Sequence, residues 1–329
     1  MKTARTIKDR FTNLVFGDYM ILLPTIILVA LWTGIAPNFM TYNNWMNLLR
    51  QVSLIAILAA GMFFPMLTGC IDLGLGSVVG ITGIVFAKLV VESQMNVLLA
   101  AIITIGLGVA IGTVAGILIT KFGVPSFIAT LGVQFIGRGM CYVITNSYPV
   151  SGLPESIAWF GRGYLQIAGK DIIPWPVVFM FAIFAIVAFV TTKTKFGRYV
   201  YTVGGNEEAA YLSGINANAI RTAVFSICDG VGALVAVILV SRLNSGQPQG
   251  GTGWEFKAVI ASVMGGASLS GGKGNAIGVA LGAIFVGVLE NGMTLLNISS
   301  YHQQCVQGLV LILAIMFDVY KNKRLAASK

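Results

Sequence analysis

The stretch KTKFGRYVYTVGGNEEAAYLSGINANAIR, residues 193–221, is polar and lies between two apolar runs, Ile173–Val190 and Ala223–Val240. A hydrophilic insert between two membrane-compatible runs lies at a membrane face. Lys195 and Arg198 follow the first run closely, and cytoplasmic loops are enriched in Lys and Arg. We therefore expect an all-α membrane protein with this segment on its cytoplasmic side.

The centre of this segment carries the signals of a short helix. Asn206 is a good N-cap after Gly205, and the acids Glu207 and Glu208 fill the first turn, where the helix dipole favours negative charge. Gly214 then ends the helix as a C-cap glycine does. A short capped helix on the inner face suits a docking site for a soluble partner. An ordered loop without a partner fits the spacing equally well.

The composition is that of an integral membrane protein. Of 329 residues, 56% are hydrophobic and 10% are charged, with a mean hydropathy of +0.85, whereas soluble domains carry about 25% charged residues. The 40 glycines suit closely packed membrane helices, and Gly112 with Gly116 forms one GxxxG face. The net charge of +9 comes from residues near the ends of apolar runs, so it argues little for nucleic acid as a partner.

The apolar runs predict an all-α polytopic membrane protein with about ten transmembrane helices, some of them broken. It forms one transmembrane domain over residues 1–329, with its first span at 18–35. The other predicted segments are Val52–Leu67, Leu75–Val91, Val97–Ile119, Ser126–Ile144, Ile172–Thr191, Ala223–Val240, Lys257–Met264, Ala276–Leu295 and Val306–Val319. Lys257–Met264 is short for a full crossing, and short, glycine-interrupted segments are typical of broken helices in transporters.

The distribution of basic residues orients these spans. With the amino terminus inside, the cytoplasmic side receives Lys121, Lys193, Lys195, Arg198, Lys273 and the basic residues of 321–324. The external side keeps Arg50, Arg162, Lys170 and Arg242. This bias predicts that both termini are cytoplasmic. Arg138 falls inside the fifth span, where it snorkels, pairs with a carboxylate or marks the end of the span.

Several acids fall within or beside the apolar runs and are candidates for a translocation path or its gating. A carboxylate at membrane depth costs about 2.5–3.5 kcal/mol, so it faces protein or water. Asp72 lies in LTGCIDLGLGS among glycines, which favours a broken helix, and it either caps the next helix or takes part in the path. The candidate residues are Asp72, Ser77, Asp229, Glu255 and Glu290.

The sequence contains no convincing catalytic or cofactor motif. GASLSGGKG, residues 266–274, resembles both a P-loop and the start of an ABC ATPase signature and satisfies neither, so we expect a cytoplasmic turn and no intrinsic ATPase activity. The four cysteines lack metal-type spacing and predict buried free thiols: Cys70, Cys141, Cys228 and Cys305. With a single histidine, His302, we expect no catalytic residues, metal or cofactor.

Three stretches resemble elements of the sugar-importing ABC permeases. LTGCIDLGLGS is similar to their LTGGIDLSVGS, and RYVYTVGGNEEAAYLSGIN resembles their cytoplasmic coupling segment. GTGWEFKAVIASVMGGASLSGGKG resembles their GTGxELDAIAAVVxGGTSLxGGKG. The resemblance runs from about Leu54 to Asp318, and the chain departs from the family pattern at Cys70, Gly74 and Lys257.

The resemblance implies a permease subunit for a monosaccharide, ribose-like, that pairs with a second copy of itself among membrane lipids. It implies two copies of an ATPase fold as partner, with ATP hydrolysis there, and an extracytoplasmic sugar-binding protein. That protein would meet the loops Thr145–Asp171 and Ser241–Glu255. The coupling helix would contact the ATPase through Gly205, Asn206, Glu207, Glu208, Ala209, Leu212 and Gly214.

Other kinds of membrane protein stay open on the residues alone. The same architecture could carry a different small solute. An ion-coupled secondary transporter would use Asp72, Asp229 and Glu290 as coupling carboxylates. A membrane scaffold without transport activity is a weaker alternative.

Overall fold

The computed structural model describes residues 21–167 and 170–327, and in this part the chain forms thirteen α-helices and one β-hairpin. The helices are α1 Leu22–Ile35, α2 Tyr42–Leu67, α3 Leu75–Val91, α4 Val97–Thr120, α5 Ser126–Thr145, α6 Ala158–Gly161, α7 Trp175–Lys193, α8 Lys195–Gly205, α9 Glu207–Leu212, α10 Ala217–Leu243, α11 Trp254–Met264, α12 Ala276–Leu295 and α13 Ser300–Ala327. The strands are β1 Tyr164–Ile167 and β2 Lys170–Pro174.

Seven of the described helices are long and apolar enough to cross a membrane: α2, α4, α5, α7, α10, α12 and α13. Two apolar helices, α1 and α3, are shorter, and α11 has only 11 residues. Residues 18–20 of the first predicted span lie outside the described part. The all-α membrane fold is therefore confirmed, while the count of ten spans stays a prediction.

Helices α2 and α10 form the centre of the fold, and α13 lies at its edge. In the membrane-length stretch of α2, 83% of the residues are buried, whereas only 6% are buried in the corresponding stretch of α13. Helix α10 packs against α4, α2 and α3. The predicted packing of Gly112 and Gly116 is confirmed, because a Cβ atom at either position would collide with the backbone of α10.

Two helices, α3 and α11, begin inside the protein after irregular segments. Between α10 and α11, residues 244–253 are not helical and follow α3, with Gly246 beside Ala87 and Gly251 beside Gly76. Irregular backbone at membrane depth is tolerated where protein satisfies its polar groups. Arg138 of α5 supplies donors for this segment, as described below for the site.

The predicted external loop 145–171 contains secondary structure that is not apparent from the sequence. A 3-10 turn at Glu155–Ile157 leads into α6, and the strands β1 and β2 pair in antiparallel fashion. Four aromatic rings pack beside them, from Trp159, Phe160, Trp175 and Phe179. The strands have four and five residues, so hydrophobic alternation is too short to detect in the sequence.

The prediction of buried thiols is confirmed at three of the four cysteines. Cys70, Cys141 and Cys228 are buried, and all four cysteines are free. Cys305 is exposed, so the prediction is wrong there. Its apolar surroundings in the sequence belong to α13, whose outward face no other part of the described chain covers.

Candidate coupling and translocation site

Helix α9 has the caps that its sequence predicts. The Asn206 side chain accepts a hydrogen bond from the Ala209 amide at 2.9 Å, and Gly214 has φ +76°. The helix covers Glu207–Leu212 rather than the predicted Gly205–Gly214, because Gly205 ends the preceding helix α8. The sequence did not predict α8 as a separate helix.

Helix α9 presents an apolar surface at the edge of an open pocket. Tyr211 and Leu212 are 78% and 79% exposed. The pocket beside them has a volume of about 680 Å³ and is lined by Glu207, Glu208, Tyr211 and residues 214–218. This segment is polar and follows a basic helix end, so its exposed apolar groups mark a protein contact better than a lipid contact.

The two acids of α9 have different surroundings. Glu207 forms a bidentate ion pair with Arg221 of α10, with N–O distances of 2.7 and 2.8 Å. This pair ties α9 to the beginning of a central helix. Glu208 is exposed and forms no ion pair within the described residues. Glu208 is therefore available to a partner, whereas Glu207 positions the helix.

A glycine-rich turn, Ser268–Gly274, connects α8 with the end of α2. The Gly272 amide donates to the Leu67 carbonyl at 2.9 Å, and the Tyr201 hydroxyl of α8 donates to the Gly274 carbonyl at 2.8 Å. Gly204 lies so close that a Cβ atom there would overlap the Leu67 carbonyl oxygen. The glycines of this turn, which resembles a nucleotide-binding motif in sequence, thus allow close packing of the backbone.

The glycine-rich turn is also held from the side of α13. The Asp318 carboxylate accepts hydrogen bonds from the Leu269 amide and the Ser268 hydroxyl, each at 3.2 Å. The turn is therefore bound at once by α2, α8 and α13. It thus links α8 to the end of α2, next to the segment that contains Asp72.

The first residues of α3 and α11 meet at Gln134 of α5. The Gln134 side chain accepts from the Ser77 amide at 3.0 Å and donates to Glu255 at 3.3 Å. Ser77 is fully buried and Glu255 is 3% exposed. A Cβ atom at Gly76 would overlap the Glu255 carboxylate, so only glycine allows the two helices to approach this closely. The structure thus brings the predicted residues Ser77 and Glu255 together.

Arg138 holds the irregular segment against α3 and resolves the alternatives that the sequence left open. Its guanidinium donates to the carbonyls of Pro248 and Gly250 at 2.7 and 3.0 Å, and to the Gly76 carbonyl at 3.2 Å. Among the described residues it pairs with no carboxylate at salt-bridge distance, and it lies inside α5 rather than at its end. Gln134 and Arg138 are site residues whose partners lie too far away in sequence to be predicted.

Asp72 and Asp229 lie beside each other in the interior. Asp72 is 1% exposed, Asp229 is fully buried, and each has a carboxylate oxygen within 4.8 Å of the other and of the Cys228 sulfur. One Asp72 oxygen accepts from the Gly74 amide at 2.9 Å. Asp72 therefore stabilises the turn before α3 but does not cap the helix, because Gly74 is the N-cap residue and no side chain caps α3.

Glu290 belongs to a separate set of contacts. Its carboxylate pairs with Lys257 of α11 at 2.6 Å and accepts from Gln307 at 2.7 Å and Gln51 at 3.1 Å. Both of its oxygens are thus engaged. The departure of Lys257 from the family pattern has a physical partner here, because the lysine neutralises a buried acid on the neighbouring helix.

Comparison with known proteins places the chain in a family. The sequence profile of the family described as branched-chain amino acid transport system / permease component matches residues 44–315. The chain belongs to this permease family. With seven apolar helices in the described part, it is a multi-pass protein of the cytoplasmic (inner) membrane.

Individual relatives match almost the full chain. The ribose import permease protein of Escherichia coli is 41% identical over 326 residues, covering 97% of this chain and 100% of the relative. The ribose import permease protein of Bacillus subtilis is 38% identical over 298 residues, covering 90% and 91%. A probable ABC transporter permease of Escherichia coli is 34% identical over 321 residues, covering 97% and 95%. No solved structure matches the chain.

Proposed function

We propose that the chain is the permease subunit of an ATP-driven ABC importer for a monosaccharide, with ribose-like sugars as the first candidates. The family and the two ribose import permeases among its relatives support this function. The main structural support is helix α9. Its caps, exposed apolar side chains and adjacent pocket suit the binding of an ATPase subunit that drives transport.

The partner of α9 is a separate ATPase subunit, and this chain hydrolyses no ATP itself. Tyr211 and Leu212 insert into the ATPase, and Glu208 supplies a charged contact at the rim. The remaining predicted contact residues are Gly205, Asn206, Glu207, Ala209 and Gly214. Glu207 acts through its ion pair with Arg221, which fixes the angle at which α9 is presented.

The solute path runs past the point where α3 and α11 begin. Ser77 and Glu255 lie there with Gln134 and Arg138, which gives the membrane interior a group of polar side chains. Helix termini inside a membrane protein carry partial charge and unpaired backbone groups that suit polar solutes. Glu290 has both oxygens engaged within the chain, so we assign it a structural role.

The permease crosses the membrane ten times with both termini in the cytoplasm, and it pairs with a second copy. The shorter helices α1, α3 and α11 complete the count beyond the seven long spans. The outward faces of α5 and α13 are apolar, as at Phe135 and Ile136, and they meet lipid and the second copy. The external hairpin receives the sugar-binding protein, whereas the segment 241–255, also predicted to do so, packs largely along α3 and ends at the buried Glu255.

Replacement of the two exposed apolar residues of α9 tests this function. The double substitution Tyr211→Ala and Leu212→Ala is expected to abolish co-purification of the ATPase without changing membrane insertion. Tyr301→Ala, at an 80% exposed tyrosine of α13, is the matched control. ATPase that co-purifies equally with the double variant would overturn the assignment of α9 as the coupling helix.

A further inference from the structure

Asp72, Cys228 and Asp229 form a cluster with unused donor atoms in the interior of the permease. One oxygen of each carboxylate and the thiol sulfur lie within 4.8 Å of one another. All three residues are buried, with exposed fractions of 1%, 0% and 0%. Two come from α10, whereas Asp72 comes from the segment between α2 and α3. The cluster thus joins two distant parts of the chain.

The carboxylate oxygens of this cluster lack partners. Asp72 Oδ2 and both oxygens of Asp229 have no hydrogen-bond partner within the described residues, although water does not reach them. An ionised carboxylate only accepts hydrogen bonds, so two ionised acids cannot satisfy each other, whereas a proton on Asp229 would allow one hydrogen bond between them. Nearly all buried polar atoms in proteins have a hydrogen-bond partner, and each exception requires an explanation.

The cluster also lacks a compensating positive charge. The ion pairs of the described residues involve other acids: Glu92, Glu207 and Glu290. Arg138 of the same region donates to backbone carbonyls instead. Two adjacent carboxylates in a low-dielectric interior stay ionised together only if a cation compensates their charge. Without a cation, one of them takes up a proton.

A metal ion satisfies more of these atoms than a proton does. A shared proton joins one oxygen of each acid and leaves the second Asp229 oxygen and the thiol without a partner. Each of the three side chains places one donor atom in the cluster, and binding through both unpaired oxygens of Asp229 would give four donors in all. Carboxylate oxygen and thiolate sulfur are both ligands of Zn²⁺, which prefers four donors.

We propose that Asp72, Cys228 and Asp229 bind a divalent transition metal of the zinc type, which ties α10 to the segment between α2 and α3. The ion enters during folding, because the cluster is closed to solvent. It stabilises the irregular backbone before α3 and leaves Asp72 and Asp229 no free oxygen for solute. The spacing of residues in the sequence does not reveal this metal site, because its ligands come from two distant segments.

Metal analysis of the full-length, tag-free chain in nanodiscs tests this site. With Zn²⁺ supplied during expression, we expect about one zinc per chain, falling below about a tenth in Cys228→Ser and Asp229→Asn. Cys141→Ser is the matched control, since Cys141 is also a buried membrane thiol. Size-exclusion profiles identify variants that have lost their fold.

Cobalt provides a second, spectroscopic readout of the same site. Refolding or expression with Co²⁺ is expected to give a thiolate-to-cobalt charge-transfer band, which Cys228→Ser removes and Cys141→Ser retains. A folded wild-type chain with neither stoichiometric zinc nor this cobalt band would overturn the proposal and leave a proton shared by the two acids. Sugar uptake is not part of this test, so its outcome is independent of the proposed function.

Discussion

At the scale of single residues, glycines determine how closely the elements of this permease approach. Gly112 sits against the Phe225 carbonyl of α10, and Gly76 sits against Glu255. Gly204 sits against the Leu67 carbonyl, where α8 packs on the end of α2. In each case, the missing Cβ atom gives a backbone-to-backbone or backbone-to-carboxylate contact that no other residue permits.

The neighbouring glycines Gly204 and Gly205 provide a matched pair of substitutions. In Gly204→Ala, the new Cβ atom would collide with Leu67, and we expect a loss of about 1–3 kcal/mol, read as a lower thermal midpoint in nanodiscs. Gly205→Ala meets no atom within 4 Å and is expected to keep the wild-type midpoint. Equal midpoints for both variants would contradict the close packing of α8 on α2.

Local signals in the sequence identified the two caps of α9 correctly. Asn206 as N-cap and Gly214 as a positive-φ residue depend on neighbours only a few positions away, so their roles can be predicted. Gln134 and Arg138 could not be assigned, because their partners lie on other helices. Lys257 likewise appeared as an unexplained departure until Glu290 was found beside it.

At the scale of elements, the Lys257–Glu290 pair joins four helices in the interior. Glu290 of α12 contacts Lys257 of α11, Gln51 of α2 and Gln307 of α13. Glu290 is 2% exposed, so removal of its cation leaves a charge without compensation. The pair therefore holds the short helix α11 in its place within the bundle.

Removal of the lysine alone from this pair is expected to lower the stability of the permease. Lys257→Met should destabilise the permease by about 3–5 kcal/mol, because a buried partner that loses its counter-ion is not resolvated. The double variant Lys257→Met with Glu290→Gln should recover most of that loss in thermal unfolding. Lys88→Met, which breaks a more exposed pair with Glu92, is the control and should have little effect. A single variant as stable as wild type would contradict the role of the pair.

The order of helices could be read from hydrophobicity, whereas their ends and the small elements could not. The bounds of α3 and α12 agree with prediction because apolar runs and glycine breaks coincide there. Helix α8 and the β-hairpin were missed, since short elements owe their stability to tertiary contacts rather than to local propensity.

At the scale of the whole molecule, the charge bias and the helix order together predict a ten-span topology with α9 in the cytoplasm. The segment with Tyr148 would then lie outside, opposite to Tyr211. Both side chains are well exposed, at 75% and 78%. The two positions therefore report on the two faces of the membrane with comparable accessibility.

Labelling of introduced cysteines tests this topology in intact cells. A membrane-impermeant maleimide is expected to modify Tyr148→Cys from outside and to modify Tyr211→Cys only after the membrane is permeabilised. Native Cys305 is exposed, so it is replaced by serine in both variants. Labelling of Tyr211→Cys in intact cells would invert the topology and remove α9 from the cytoplasmic side.

ATP hydrolysis coupled to sugar delivery is the most direct measurement of the central claim. The permease is reconstituted in nanodiscs with the ATPase and the binding protein that neighbouring genes encode. ATP hydrolysis is then measured with the binding protein loaded in turn with ribose and other monosaccharides. We predict that one loaded sugar stimulates hydrolysis and that the α9 variant Tyr211→Ala with Leu212→Ala abolishes this response. Absence of a co-purifying ATPase, with uptake that stops when the proton gradient collapses while ATP remains, would contradict the importer function.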